Sequence, residues 1–251
     1  FIVQGEGRGH LTQAITLEDM LQRNGHEVVE VLVGKSSSRT LPGFFNRSIH
    51  APVKRFISPN FLPTADNKRA NLTKSFAYNL LRLPKYLRSM YYINQRIRET
   101  GAEVVINFYE LLTGLTYALF RPSVPYICVG HQYLFLHRDF EFPDKNSCQL
   151  WMLRFFTRMT ALRSSKKLAL SFLEMEQDDM NQIVTVPPLI RQEVTAIRPE
   201  KGDYIHGYMV NSGFADSVES FHAKHPEVPL TFFWDRSDAE EVTRIDETLS
   251  F

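Results

Sequence analysis

Near its start the chain carries Gly5-Glu6-Gly7-Arg8-Gly9-His10, a run whose residue types could do chemistry. Alternating glycines let a backbone turn sharply and come close to a bound group. A helix predicted over 10–24 aims its free N–H groups at the same place, which suits an anion or polar ligand. His10 ends the loop. A neutral imidazole can take a proton from an attacking hydroxyl; its structural alternative is a helix-start histidine bonded to a backbone carbonyl. His131 and Gln132 follow Gly130 at the end of the apolar run 125–129. That is the edge where open α/β sheets place ligands, although a structural histidine fits there too. Glu110 occupies the comparable place after 104–108, where the plainer reading is an acidic residue in a helix's first turn. Asn211-Ser212-Gly213 forms a second loop of this kind, between a strand at 204–210 and a helix at 214–224.

The elements that must position these residues alternate. Leu11, Ala14, Leu17 and Leu21 fall on one face of the first helix, which Asn24-Gly25 stops. Strands are predicted at 1–4, 28–33, 49–57, 104–108, 125–129 and 167–172. Helices are predicted at 67–99, punctuated by Pro84, and at 110–120 and 146–163, with a short helix after Leu41. Alternation of this kind predicts a doubly wound parallel sheet. The segment from Pro187 to Gly202 reads as a linker, after which strands recur at 204–210 and 229–234. The expectation is an α/β chain of two Rossmann-like domains: 1–190, a linker at 191–202, and 203–251 as the start of the second. A beginning inside a strand and an end in the apolar run 247–251 predict a sequence truncated at both ends.

Composition excludes several classes. Hydrophobic residues make up 43% and charged residues 23%, as in ordinary globular proteins. No apolar stretch approaches the ~20 residues of a membrane helix. Cys128 and Cys148 are too few for a disulfide framework or a zinc site, and read as reduced thiols. Asn46-Arg-Ser and Asn71-Leu-Thr match the glycosylation triplet, a pattern common by chance. Gly5, Gly7 and Gly9 do not have the dinucleotide spacing, and no acidic residue closes the second strand to hold a ribose. Gly34-Lys35-Ser36 resembles the end of a phosphate-binding loop, but Val29 stands where its first glycine belongs, so a solvated turn is expected there.

Charge is uneven. Residues 1–173 hold 23 Lys/Arg against 12 Asp/Glu, and residues 174–251 hold 6 against 16. Between 54 and 98, ten cations face Asp66 alone. Leu80 to Ile93 and Trp151 to Met159 mix these cations with leucines and aromatics. Such segments suit helices packed on a sheet with solvated cations, or the interface of an anionic bilayer. Single-stranded nucleic acid ranks behind both.

The stretch Gly5-Glu6-Gly7-Arg8-Gly9-His10-Leu11-Thr12-Gln13-Ala14, followed by Asn24-Gly25-His26-Glu27-Val28, resembles glycosyltransferases of the GT-B architecture. It is similar to the Gly-x-Gly-x-Gly-His type. That type is related to the lipid-linked N-acetylglucosaminyltransferase of peptidoglycan synthesis and to glucuronosyltransferase-like enzymes. Close motif resemblance covers about residues 1–33, and the architecture covers the whole chain. The resemblance implies an acceptor-binding first domain and a second domain that binds a nucleotide-diphosphate sugar as co-substrate. It implies that His10 is the catalytic base, that Gly7, Arg8, Gly9, Glu110, His131 and Gln132 line the acceptor cleft, and that Asn211, Ser212 and Gly213 lie on the donor side. The leaving diphosphate would be held by helix N-termini, with no metal and no tightly bound cofactor. The acceptor would be a glycan or glycolipid, and the location cytoplasmic, with peripheral contact at the inner membrane face. Relatives often carry proline or arginine near Gln13, so acceptor identity does not transfer. A nucleotide-sugar epimerase of the same architecture is the rival enzyme, needing carboxylates near the sugar. A non-catalytic ligand- or membrane-binding protein on this scaffold is the third reading.

Overall fold

A computed structural model of the chain describes residues 1–36, 41–60, 62, 72–142, 147–209, 212–234 and 242–251. The chain divides into two compact units, one of 1–60 with 79–197 and one of 61–78 with 198–251.

The first unit alternates strand and helix. In chain order come β1 (Ile2–Gln4), α1 (Arg8–Arg23), β2 (Val31–Lys35), α2 (Gly43–Ser48), β3 (Val53–Ile57), α3 (Leu72–Leu80), whose residues 72–78 belong to the second unit, and α4 (Leu83–Glu99). There follow β4 (Val105–Phe108), α5 (Leu111–Phe120), β5 (Tyr126–Gly130), α6 (Cys148–Thr160), β6 (Lys166–Leu170), β7 (Ile183–Val186) and α7 (Gln192–Thr195). The strands form one parallel sheet in the order β3-β2-β1-β4-β5-β6-β7. Ile2 pairs with Leu32 on one side and Asn107 on the other. Strand order therefore reverses direction between β1 and β4, the kind of switch point at whose carboxyl edge open α/β sheets bind ligands.

Side chains alternate along each strand, so the sheet has two apolar faces. Ile2, Leu32, Tyr126 and Cys128 meet Met90, Ile93, Leu112 and Tyr117 from α4 and α5. Val3, Val33, Phe108 and Val129 meet Leu11, Ala14 and Phe45 from α1 and α2. Each such fully buried aliphatic side chain contributes roughly 1.5–3 kcal/mol relative to exposure. Pro84 does not punctuate one long helix. It sits in the first turn of α4, where its missing N–H costs nothing, after a break at Leu81-Arg82. Ser147 caps α6 by accepting from the Leu150 N–H at 3.1 Å.

Several expectations shift. α1 starts at Arg8, two residues earlier than predicted. β2 starts later, leaving Val29 exposed and Glu30 ahead of the strand rather than inside it. Glu30 is buried there because Arg96 and Lys54 each approach its carboxylate to 2.8 Å. Gly34 and Lys35 are the last residues of β2, not a solvated turn. β7 was missed: its run of four residues is too short to stand out, and its pairing with β6 is non-local. The buried Asp178 shapes the approach to it, accepting from the backbone N–H groups of Arg138 at 2.9 Å and Asn181 at 3.1 Å.

The second unit holds β8 (Ile205–Met209), a 3-10 turn (Ser212–Phe214), α8 (Ala215–His222), β9 (Leu230–Trp234) and β10 (Leu249–Ser250). Its sheet is parallel, in the order β10-β9-β8. Met209, Ala215, Leu230, Leu249 and Phe251 form its core. The apolar run near 250 thus contains a strand. Residues 67–71, 146 and 210–211, on which predictions fell, lie outside the described residues.

Candidate functional site

The candidate residues of the first unit gather at the carboxyl edge of its sheet. The chain leaves β1 through Gly5, which must be glycine: a Cβ there would lie 2.6 Å from Val33 Cγ1 and 2.9 Å from the Gly34 carbonyl. Gly7 and Gly9 differ. Neither has a positive φ, and a Cβ at either would meet nothing within 4 Å. Gly7 is the N-cap of α1 and Gly9 lies in its first turn, with Arg8 exposed between them. These glycines therefore leave open space at a helix N-terminus instead of enabling a turn.

His10 is buried in the first turn of α1. Its Nδ1 lies 3.1 Å from Gln13 Oε1, and its Nε2 lies 3.3 Å from Gln132 Nε2. Its ring stacks on Tyr109 at 5.6 Å. Among the described residues no backbone carbonyl holds it; both nitrogens face side-chain amides. In the tautomer that satisfies both contacts, Nδ1–H donates to Gln13 and the Nε2 lone pair accepts from the Gln132 amide. Burial is the main reason that the imidazolium is disfavoured; the His131 charge adds to it and the Gln13 contact opposes it. The pKa falls from 6.5 to about 4.

Tyr109 belongs to no motif in the sequence. It carries φ +59°, a strained conformation for a residue with a side chain. Asn107 fixes that turn. Its Oδ1 accepts from the Glu110 N–H at 3.0 Å, and its Nδ2 donates to the Thr160 carbonyl at 3.0 Å. The Tyr109 hydroxyl is bonded to Thr157 Oγ1 at 2.8 Å, leaving the ring face to His10.

Glu110 caps α5 and is fully buried. Its Oε1 accepts from Ser58 Oγ at 2.6 Å and from the Leu112 N–H at 3.1 Å. Its Oε2 has no hydrogen-bond partner among the described residues. The carboxyl lies over Gly34, where a Cβ would come within 2.2 Å of Oε2. Burial, with a smaller push from the Glu6 charge, raises its pKa from 4.5 to about 7 against the Ser58 and backbone bonds. Glu6 itself accepts from the Ser36 N–H. Glu110 is therefore a buried cap beside a second carboxylate, not a solvated first-turn residue.

His131 begins a 3-10 turn (His131–Leu136) directly after β5. Its Nδ1 bonds the Leu170 carbonyl at 3.0 Å while the residue stays exposed. The edge thus holds two groups: His10 with Gln13, Tyr109 and Gln132, and Glu110 with Ser58, Gly34 and Glu6. In the second unit, Ser212 and Gly213 lie in the turn before α8; Asn211 is outside the described residues. No group of three or more potential metal ligands occurs among the described residues.

A seven-stranded parallel sheet with its switch point beside a glycine-rich first loop, followed by a second parallel α/β unit, is the GT-B class of fold. The chain belongs to glycosyl transferase family 1, whose model matches residues 1–242. Solved structures agree on the fold. A UGT89C1 of Arabidopsis thaliana complexed with UDP-L-rhamnose matches with TM-score 0.54 at 14% identity, over 98% of this chain and 66% of that one. A UGT2 of Phytolacca americana complexed with UDP-2fluoro-glucose and pterostilbene matches with TM-score 0.53 at 14% identity, over 84% of this chain and 59% of that one. The chain thus spans less than two thirds of the length of these structures. No curated protein matches it in sequence.

Proposed function

We propose that this chain serves glycosyl transfer from a nucleotide-diphosphate sugar to a hydroxyl of a glycan or glycolipid acceptor, with His10 as the base. The observation that carries this reading is a buried, neutral His10 at a helix N-terminus, its Nε2 met, among the described residues, by the side-chain amide of Gln132. An acceptor hydroxyl that takes the amide's place would donate to Nε2. Its oxygen forms the bond to the anomeric carbon, the bond from that carbon to the diphosphate breaks, and the proton passes to His10. A base with so low a pKa takes the proton late, as the attacking oxygen turns acidic. Residues 1–190 would bind the acceptor, with Gly7, Arg8, Gly9, His131 and Gln132 along it, and Asn211, Ser212 and Gly213 would face the donor. That solved structures of the same fold hold UDP-L-rhamnose and UDP-2fluoro-glucose supports a sugar nucleotide as donor.

His10→Ala tests this. Turnover should fall by about 10²–10⁴-fold, while donor affinity stays nearly unchanged. Lost donor affinity with turnover per bound donor intact would sink the assignment. One observation favours the epimerase: Glu110 and Glu6 bring two carboxylates to the same edge. That reading requires conversion of a nucleotide sugar with no acceptor present.

A further inference from the structure

Helix α4 lies across the end of β3. Ser89 Oγ donates to the Ile57 carbonyl at 2.8 Å, whereas Arg96, two turns later, reaches Glu30 ahead of β2. The first turns of α4 therefore lie at the carboxyl edge of the sheet, the edge that carries His10. Tyr86, Met90 and Ile93 fill the core from its inner face. The outer face is not polar. Leu83, Leu87 and Tyr91, spaced four apart, are 50%, 52% and 61% exposed, and Leu81 just before the helix is 84% exposed.

Beside this stripe a groove of about 320 Å³ runs between α4 and the edge strand β3. Arg55, Lys85 and Arg88 line it with Phe56 and Tyr92. None of the three cations has an ionic or side-chain hydrogen-bond partner among the described residues. Lys54 and Arg96 nearby share the Glu30 carboxylate, so pairing is available on this face and these three do not use it. Unpaired cations next to exposed leucines complement one kind of surface, in which phosphates lie directly above hydrocarbon.

We propose that the start of α4 and the edge of β3 form a docking site for an anionic lipid bilayer. Arg55, Lys85 and Arg88 meet lipid phosphates, and Leu81, Leu83 and Leu87 enter the acyl boundary. The shared edge would then hold a membrane-borne acceptor on the His10 side of the sheet. No helix among the described residues is long and apolar enough to cross a membrane, so the contact is superficial.

Co-sedimentation with vesicles of phosphatidylglycerol and phosphatidylcholine tests the proposal without any activity assay, so its failure would leave the glycosyl-transfer reading untouched. Partitioning should rise with the phosphatidylglycerol fraction and fall with salt. At about fivefold per well-placed cation, the Arg55→Gln, Lys85→Gln, Arg88→Gln triple variant should bind about 100-fold more weakly. Leu81→Ser with Leu87→Ser should weaken binding at unchanged lipid charge. All these side chains line open surface, and thermal melts would check that the variants fold; Lys85→Gln alone should still lower the salt dependence. Equal binding to pure phosphatidylcholine, or indifference to the substitutions, would overturn the proposal. So would binding of inorganic phosphate or of a single-stranded oligonucleotide by the same cations with no vesicle binding.

Discussion

Replacing Glu110 by glutamine should stabilise this chain strongly at pH 8 and only slightly at pH 5. The carboxyl is fully buried, its Oε1 takes bonds from Ser58 and Leu112, and its Oε2 is unpartnered among the described residues. Burial lifts its pKa from 4.5 to about 7. An acid that holds its proton longer when folded stabilises the fold below its unfolded pKa, and that stability is lost as pH rises through the folded one. At about 1.4 kcal/mol per pH unit, this displacement is worth about 3 kcal/mol. Glutamine has the shape of the protonated acid, keeps an oxygen for Ser58 and Leu112, and never ionises. At pH 5, only half a unit above the unfolded pKa, the variant should lead by no more than about 1 kcal/mol. At pH 8 the variant should lead by about 3 kcal/mol, or about 6–12 °C for a unit of this size. His10 titrates in the opposite sense. Its pKa is lowered to about 4, so its effect is a loss of stability as pH falls from 6.5 toward 4. Being common to both proteins, it cancels in the difference. Thermal melts at pH 5, 6, 7 and 8 decide the matter. An offset equal at every pH, or one that shrinks as pH rises, would refute the reasoning and show that Glu110 is ionised throughout.

Other expectations are simpler to check. Because His10 is already neutral above about pH 4, turnover should show no histidine inflection between pH 5 and 7; a step near 6.5 in the rate profile would mean that the ring is solvated in the working enzyme. Gly34→Ala places a methyl 2.2 Å from Glu110 Oε2 and 2.8 Å from the Phe56 ring, and should cost about 1–3 kcal/mol in urea unfolding. Gly7→Ala meets nothing within 4 Å but puts a poorer residue at the N-cap of α1, and should cost no more than about 1 kcal/mol in the same assay. In the second unit, Asp246 accepts from His222 at 2.6 Å and from two backbone N–H groups, which hold its carboxyl down to about 2. Its stabilising effect is present above pH 3.8 and is lost as pH falls toward 2. Asp246→Asn should be less stable at pH 6 and lose that acid dependence, read through Trp234, whose ring stacks on Phe251 at 4.2 Å.

The strand, the glycine loop and the helix that carries His10 were legible in the residues alone, because each depends on neighbours three or four positions away. So did the alternation that predicts a parallel sheet, since β1, β2 and β4 to β6 are apolar runs set between amphipathic helices. The contacts that give these residues their character are not local. Gln132 reaches His10 from 122 positions away, and Ser58 reaches Glu110 from 52. Arg96 crosses 66 positions to reach the Glu30 carboxylate. Nothing local to Tyr109 marks it; only the backbone turn at φ +59° places its ring on His10. β7 was invisible because four residues carry too little periodicity to mark a strand that only pairing with β6 defines. The sequence alone determined which side chains could meet a ligand at the sheet's edge. Only the tertiary structure decided which of them are neutral, which are paired and which stand free, because burial and long-range hydrogen bonds set the cost of holding a charge.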